Sequence, residues 1–181
     1  MSANSRAVDK SPLSFDVEVR RLPARGFPVK IDADAEARAA LADAHGLESV
    51  DRLHAELLVE RWGKDGAKVS GRVVADIVQS CIVTLEPVPA TIDAAIDGVF
   101  VPENSRLAVP TYGEILVDPE GPDAPETFSG DSIDVGALVE EFFELAIDPY
   151  PRAPGAAFGE SETGDGAMNP FAALAKLNEN R

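Results

Sequence analysis

A chain of 181 residues, 45% of them hydrophobic, is long enough to bury one core and short for several domains. Its net charge of −16 is uneven: residues 1–90 hold 12 Lys+Arg against 14 Asp+Glu, and residues 91–181 hold 4 against 18, so bulk electrostatics oppose binding to phosphate backbones unless basic side chains cluster locally. One cysteine excludes an intrachain disulfide and suits a reducing cytoplasm, no apolar run approaches the roughly 20 residues of a membrane span, and the opening M-S-A-N-S-R-A-V-D-K has no apolar signal core; a soluble cytoplasmic protein with no membrane partner is expected.

Residues 1–12 are small and polar, the composition of a disordered arm. A single domain is expected over 13–152. Leu13 to Arg20 alternates apolar and polar side chains and predicts a strand, after which Arg20, Arg21, Arg25 and Lys30 run through a Pro/Gly-containing loop. Asp32 to Ala44 predicts a short helix capped by Asp32 or Asp34, with Ala37, Ala40, Leu41 and Ala44 inward and Gly46 closing it. Leu53 to Trp62 alternates again, and Gly63-Lys64-Asp65-Gly66 turns that strand into a hairpin.

The partner strand, Val69 to Glu86, is the most regular stretch in the chain. Val69, Gly71, Val73, Ala75, Ile77, Gln79, Cys81, Val83 and Leu85 fall on one face, and Pro87 ends the run. A third strand is expected from Thr91 to Val101, giving an antiparallel meander. Pro102 to Gly130 is proline-rich and acidic and is read as a long surface loop, with a short strand candidate at Glu114 to Val117.

Asp134 opens a second helix, whose expected apolar stripe is Val135, Leu138, Val139, Phe142, Leu145 and Ala146. Residues 153–168 read as a flexible acidic linker and 169–181 as a short C-terminal helix capped by Asn169, with Phe171, Leu174 and Leu177 on one face. That stripe suits a docking helix, for a groove on its own domain or on another molecule. The fold class is therefore α+β: an antiparallel β-sheet, a meander of three to four strands, with packed helices.

Little in the chain points to catalysis. Cys81 lies in a β pattern with no histidine nearby, as befits a small buried hydrophobe. His45 and His54 fall on different elements, and no phosphate loop, H-E-x-x-H or G-x-S-x-G occurs. An enzyme, a cofactor, a metal site and a small-molecule substrate are accordingly not expected. Two charged clusters remain. Arg61, Lys64, Lys68 and Arg72 surround the first hairpin turn, either as a solvated hairpin end or as an RNA-contacting patch. Glu140, Glu141 and Glu144 stand on one helix, either as a solvated face or as a site for a basic partner.

The segment V-S-G-R-V-V-A-D-I-V-Q-S-C-I-V-T-L-E-P-V, with I-D-V-G-A-L-V-E-E at Ile133 to Glu141 and N-P-F-A-A-L-A-K-L at Asn169 to Leu177, resembles the YceD-like family of bacterial domains. The signature positions are Gln79, Cys81, Thr84, Leu85, Glu86 and Pro87. The resemblance implies a part in accumulation of large-subunit ribosomal RNA, with precursor rRNA or a basic ribosomal protein as the partner; an acidic interaction module or chaperone unrelated to the ribosome is the alternative. Many members carry C-x-x-C and further cysteines that imply a metal site, but here Thr84 holds the second position and Cys81 has no companion.

Overall fold

The regular stretch forms the middle strand of a five-stranded sheet in the computed structural model, which describes residues 10–106, 108 and 124–156. Strands β2 (Phe27–Asp32), β3 (Ser49–Trp62), β4 (Gly66–Ser80) and β5 (Pro87–Pro102) lie side by side and antiparallel, and β6 (Glu126–Phe128) adds parallel to β5. The other two strands, β1 (Asp16–Glu18) and β7 (Ser132–Asp134), pair as a separate two-stranded sheet. The α+β class and the hairpin at Gly63–Gly66 follow the sequence pattern.

Alternation places the core. Leu53, Ala55, Leu57 and Val59 of β3 face the same side as Val69, Val73, Ala75 and Ile77 of β4 and Ile92, Ile96 and Phe100 of β5, and all are buried. Helix α1 (Ala35–His45) packs on β3 and α2 (Val135–Leu145) on β4 and β5, closing that face. Asp34 caps α1 by accepting the Ala37 N–H at 2.9 Å, and Gly46 ends it in the left-handed region at φ 65°. The opposite sheet face is charged. No helix among the described residues is long and apolar enough to cross a membrane.

Several boundaries differ from the sequence expectation. The organising strand stops at Ser80, not near Glu86, because Cys81 begins a turn in which its N–H reaches the Glu86 carbonyl and its own carbonyl accepts the Leu85 N–H. Phe27–Asp32, read as loop, is an edge strand; Pro28 is tolerated there because an edge needs only one set of ladder bonds. Leu13 to Arg20 is strand only over β1, then turns through a 3-10 helix at Val19–Arg21. Inside the long acidic loop β6 pairs with β5, a non-local partner that no short-range pattern announces; the candidate at Glu114 to Val117 lies outside the described residues.

The rotation of α2 also differs. Val135, Leu138, Val139 and Phe143 are buried, whereas Phe142 is half-buried and Leu145 and Ala146 are exposed. Gly136 turns toward the β1 side, where the chain passes so closely that a Cβ would lie 2.0 Å from the Leu13 carbonyl oxygen. On α1, Ala42 is buried with Leu41 while Ala44 faces solvent.

Candidate interaction surfaces

The exposed sheet face is a lattice of opposite charges, set by strand register. Glu56 stands opposite Lys30 and bonds it at 2.6 Å; Asp76 stands opposite Arg52 at 2.9 Å. Arg72 forks onto Asp93, one diagonal step along β5, and Lys68 reaches Asp97 at 3.2 Å in the same way. The Lys30 ammonium holds the Glu56 carboxyl below the usual range, and Arg72 does the same to Asp93. Two of the four residues expected to contact RNA, Lys68 and Arg72, are thus matched by carboxylates.

Arg61 and Lys64 come together elsewhere. They line a cleft of about 610 Å³ at the hairpin end, with Arg20 from the 3-10 helix. Arg61 Nε donates to the Leu22 carbonyl at 2.8 Å and its Nη2 to that of Arg20 at 3.2 Å, so this side chain ties β3 to the segment ahead of β2. Arg20 pairs with Asp131 at 3.1 Å. Asp65 and Glu103 also line the cleft, so its three cations face three carboxylates.

The acidic triplet of α2 divides by direction. Glu140 turns inward, its Oε1 3.1 Å from His45 Nε2, and the His45 ring meets Phe143 edge-on with centroids 5.6 Å apart; this joins the end of α1 to α2. Glu141 and Glu144 point to solvent. Burial, followed by the charge of Glu141, pushes the Glu126 carboxyl up, so negative charge is already crowded beside this helix.

Beyond Ser80 the signature residues form a compact turn. Cys81 is fully buried, and its Sγ accepts the N–H groups of Val83 and Thr84 at 3.4 Å and of Ala153 at 3.3 Å. The Thr84 hydroxyl most strongly, then the Ala153 and Thr84 N–H groups, pull the thiol down to about 6 against the opposing effect of burial. The chain has no second cysteine, and among the described residues no group of three or more Cys, His, Asp or Glu side chains is placed to hold a metal. The residues present do not fit the tetrahedral site implied by cysteine-rich relatives. Gln79, buried at the end of β4, donates to the Asp148 carbonyl at 2.8 Å, and the Ile82 N–H donates to the Pro151 carbonyl at 3.0 Å. The turn and the segment after α2 are therefore pinned together.

Pattern reasoning missed one surface. Leu85, expected on a buried strand face, is 77% exposed, and Leu145, expected in the core stripe, is 74% exposed. Tyr150 is 71% exposed and adjoins the turn through the Pro151 bond. Pro87 was the one signal that a turn lay near, although it opens β5, which starts there and not at Thr91. Phe171, Leu174 and Leu177 lie outside the described residues.

A family model described as large ribosomal RNA subunit accumulation protein YceD matches residues 69–178. No curated protein and no solved structure matches the chain.

Proposed function

Since the chain belongs to the YceD family of large ribosomal RNA subunit accumulation proteins, we propose that it supports biogenesis of the large ribosomal subunit without catalysing a reaction, by holding a basic ribosomal protein on the acids of α2 and of the stretches after β4 and α2. One observation carries this reading. On the sheet face Lys30, Arg52, Lys68 and Arg72 each have a carboxylate partner, whereas among the described residues no ion pair reaches Glu86, Glu141, Glu144 or Asp148. Unpaired acids along α2 and on the stretches that follow β4 and α2 steer and hold a cationic partner, while paired charges present little net field.

The test is binding of purified basic large-subunit proteins to the intact chain. Glu141→Lys with Glu144→Lys should weaken it strongly and reduce its dependence on salt; Glu140 is a poor choice, because His45 already occupies it. Unchanged affinity in the double variant would defeat the reading.

A second reading is favoured by the cleft, where Arg20, Arg61 and Lys64 converge. Here precursor rRNA is the partner and phosphate the group bound. Lys64→Glu would then lower RNA affinity and flatten its salt dependence, since fewer counterions are released. The facing carboxylates of Asp65, Glu103 and Asp131 make this the weaker of the two.

A further inference from the structure

Four of the six exposed large hydrophobic side chains among the described residues lie at one end of the molecule. Ile82 and Leu85 stand on the turn after β4; Leu145 and Tyr150 stand on the last residue of α2 and the segment following it. The Gln79–Asp148 and Ile82–Pro151 bonds hold the two stretches side by side. Acids surround them. Glu86, Glu144 and Asp148 belong to the same stretches, and Glu48 is fixed beside them by its bond to the Ser80 hydroxyl. Arg152 is the one cation within 79–87 and 144–153.

Leu85 is the informative residue. It is the one non-glycine residue with positive φ among the described residues, at 60°, a conformation that L side chains disfavour and glycine adopts freely. The turn needs that backbone angle to close the Leu85–Cys81 hydrogen bond, yet the fold does not need the isobutyl group, which gains no burial. Strain kept at an exposed position is a mark of a working surface.

We propose that this end docks a basic polypeptide segment carrying a large apolar side chain, which seats on Leu85 and Tyr150 while its lysines or arginines meet Glu86, Glu144 and Asp148. The proposal rests on the reading of these acids as the seat of a basic protein, and names its anchor. Charge complementarity selects this occupant. A second copy of the chain would bring the same carboxylates into opposition, and a nucleic acid would bring phosphates.

The intact chain is titrated with two synthetic peptides of equal length and charge, one alternating lysine with leucine and the other lysine with serine. The leucine peptide should bind about tenfold or more tightly than the serine peptide, the weight of one buried apolar anchor. Leu85→Gly with Tyr150→Ser should erase that preference while leaving affinity for the serine peptide unchanged. Because glycine suits the left-handed turn, Leu85→Gly alone should melt no lower than the parent, which separates lost docking from lost folding.

Equal affinity of the unmodified chain for both peptides would overturn the apolar anchor and leave the acidic seat standing. Binding of neither peptide would overturn both. If Phe171→Ser tightens binding of the leucine peptide, the chain's own C-terminal segment is the occupant and the proposal falls. It also falls if the paired substitutions remove binding of a single-stranded RNA and leave the peptides unaffected.

Discussion

The Asp134 carboxylate accepts the Phe15 backbone N–H at 2.8 Å, fixing the N-terminal strand to the start of α2 across 119 positions of sequence. The same oxygen caps the helix through the N–H groups of Gly136 at 3.0 Å and Ala137 at 3.1 Å, and the other oxygen takes the Ser14 hydroxyl. Asp134→Ala should therefore cost about 1–2 kcal/mol, at the upper end for a cap, read as a lower midpoint in urea.

The acid limb follows from the same group. Partial burial pushes the Asp134 carboxyl up, but the Ser14 hydroxyl and three N–H donors together hold it below its ordinary value. A depressed folded-state value means that its contribution is complete above about pH 4, the unfolded range, and is lost as pH falls through the folded value. Melting curves of the parent and Asp134→Asn, followed downward from neutral pH, should converge in acid. Parallel curves throughout would defeat the assignment.

Gly136→Ala tests the closest approach in the fold. In an ordinary helix the change is favourable by about 1 kcal/mol, but here the new Cβ would meet the Leu13 carbonyl oxygen at 2.0 Å and the Phe15 nitrogen at 2.8 Å. Backbone cannot yield as a side chain can. The clash should reverse the sign, to a loss of about 1–3 kcal/mol, measured by denaturant unfolding.

Phe143 and Phe142 distinguish the rotation of α2. Phe143 is fully buried against His45 and the sheet, so Phe143→Ala should cost about 3–5 kcal/mol. Phe142→Ala, at a half-buried position, should cost clearly less. A reversed order in thermal melts would mean that the helix faces the sheet as its sequence stripe suggests.

Cys81→Ala should lower the melting temperature by orphaning the N–H groups of Val83, Thr84 and Ala153. With the folded thiol near 6 and the unfolded one near about 8.5, its ionic contribution is complete above the unfolded value and is lost as pH falls through about 6. The stability gap between parent and variant should widen from acid to mild alkali. Metal analysis of the purified parent should find no stoichiometric zinc, since one sulfur cannot make a tetrahedral site.

Arg72→Ala should leave stability nearly unchanged, because its bond to Asp93 lies on an exposed sheet face where water screens the pair. A larger loss in chemical unfolding would show that this pairing fixes the register of β4 and β5.

Period two alone determined the core faces of β3, β4 and β5, since alternation on a pleated strand fixes which side chains share a side whatever the strand later meets. Local chemistry likewise determined the turn at Gly63–Gly66, the cap at Asp134 and the glycine closing α1; between Asp32 and Asp34 as the cap of α1 the choice fell to the structure, which holds Asp32 in β2. Tertiary structure decided the rest. Cys81 and Leu85 keep the alternating pattern but leave the strand, because thiol and turn bonds to Thr84, Glu86 and the distant Ala153 outcompete a ladder. Phe142 and Phe143 are equally apolar, and only the surface they meet chooses between them. The clustered cations around the first hairpin were legible as residues but not as a site: Asp93 and Asp97 lie on the next strand, and pairing across strands, which depends on register, turns Lys68 and Arg72 into a neutral face. The exposed apolar end was not legible at all, because hydrophobicity in a sequence specifies a preference for burial and only packing determines which side chains are left without it.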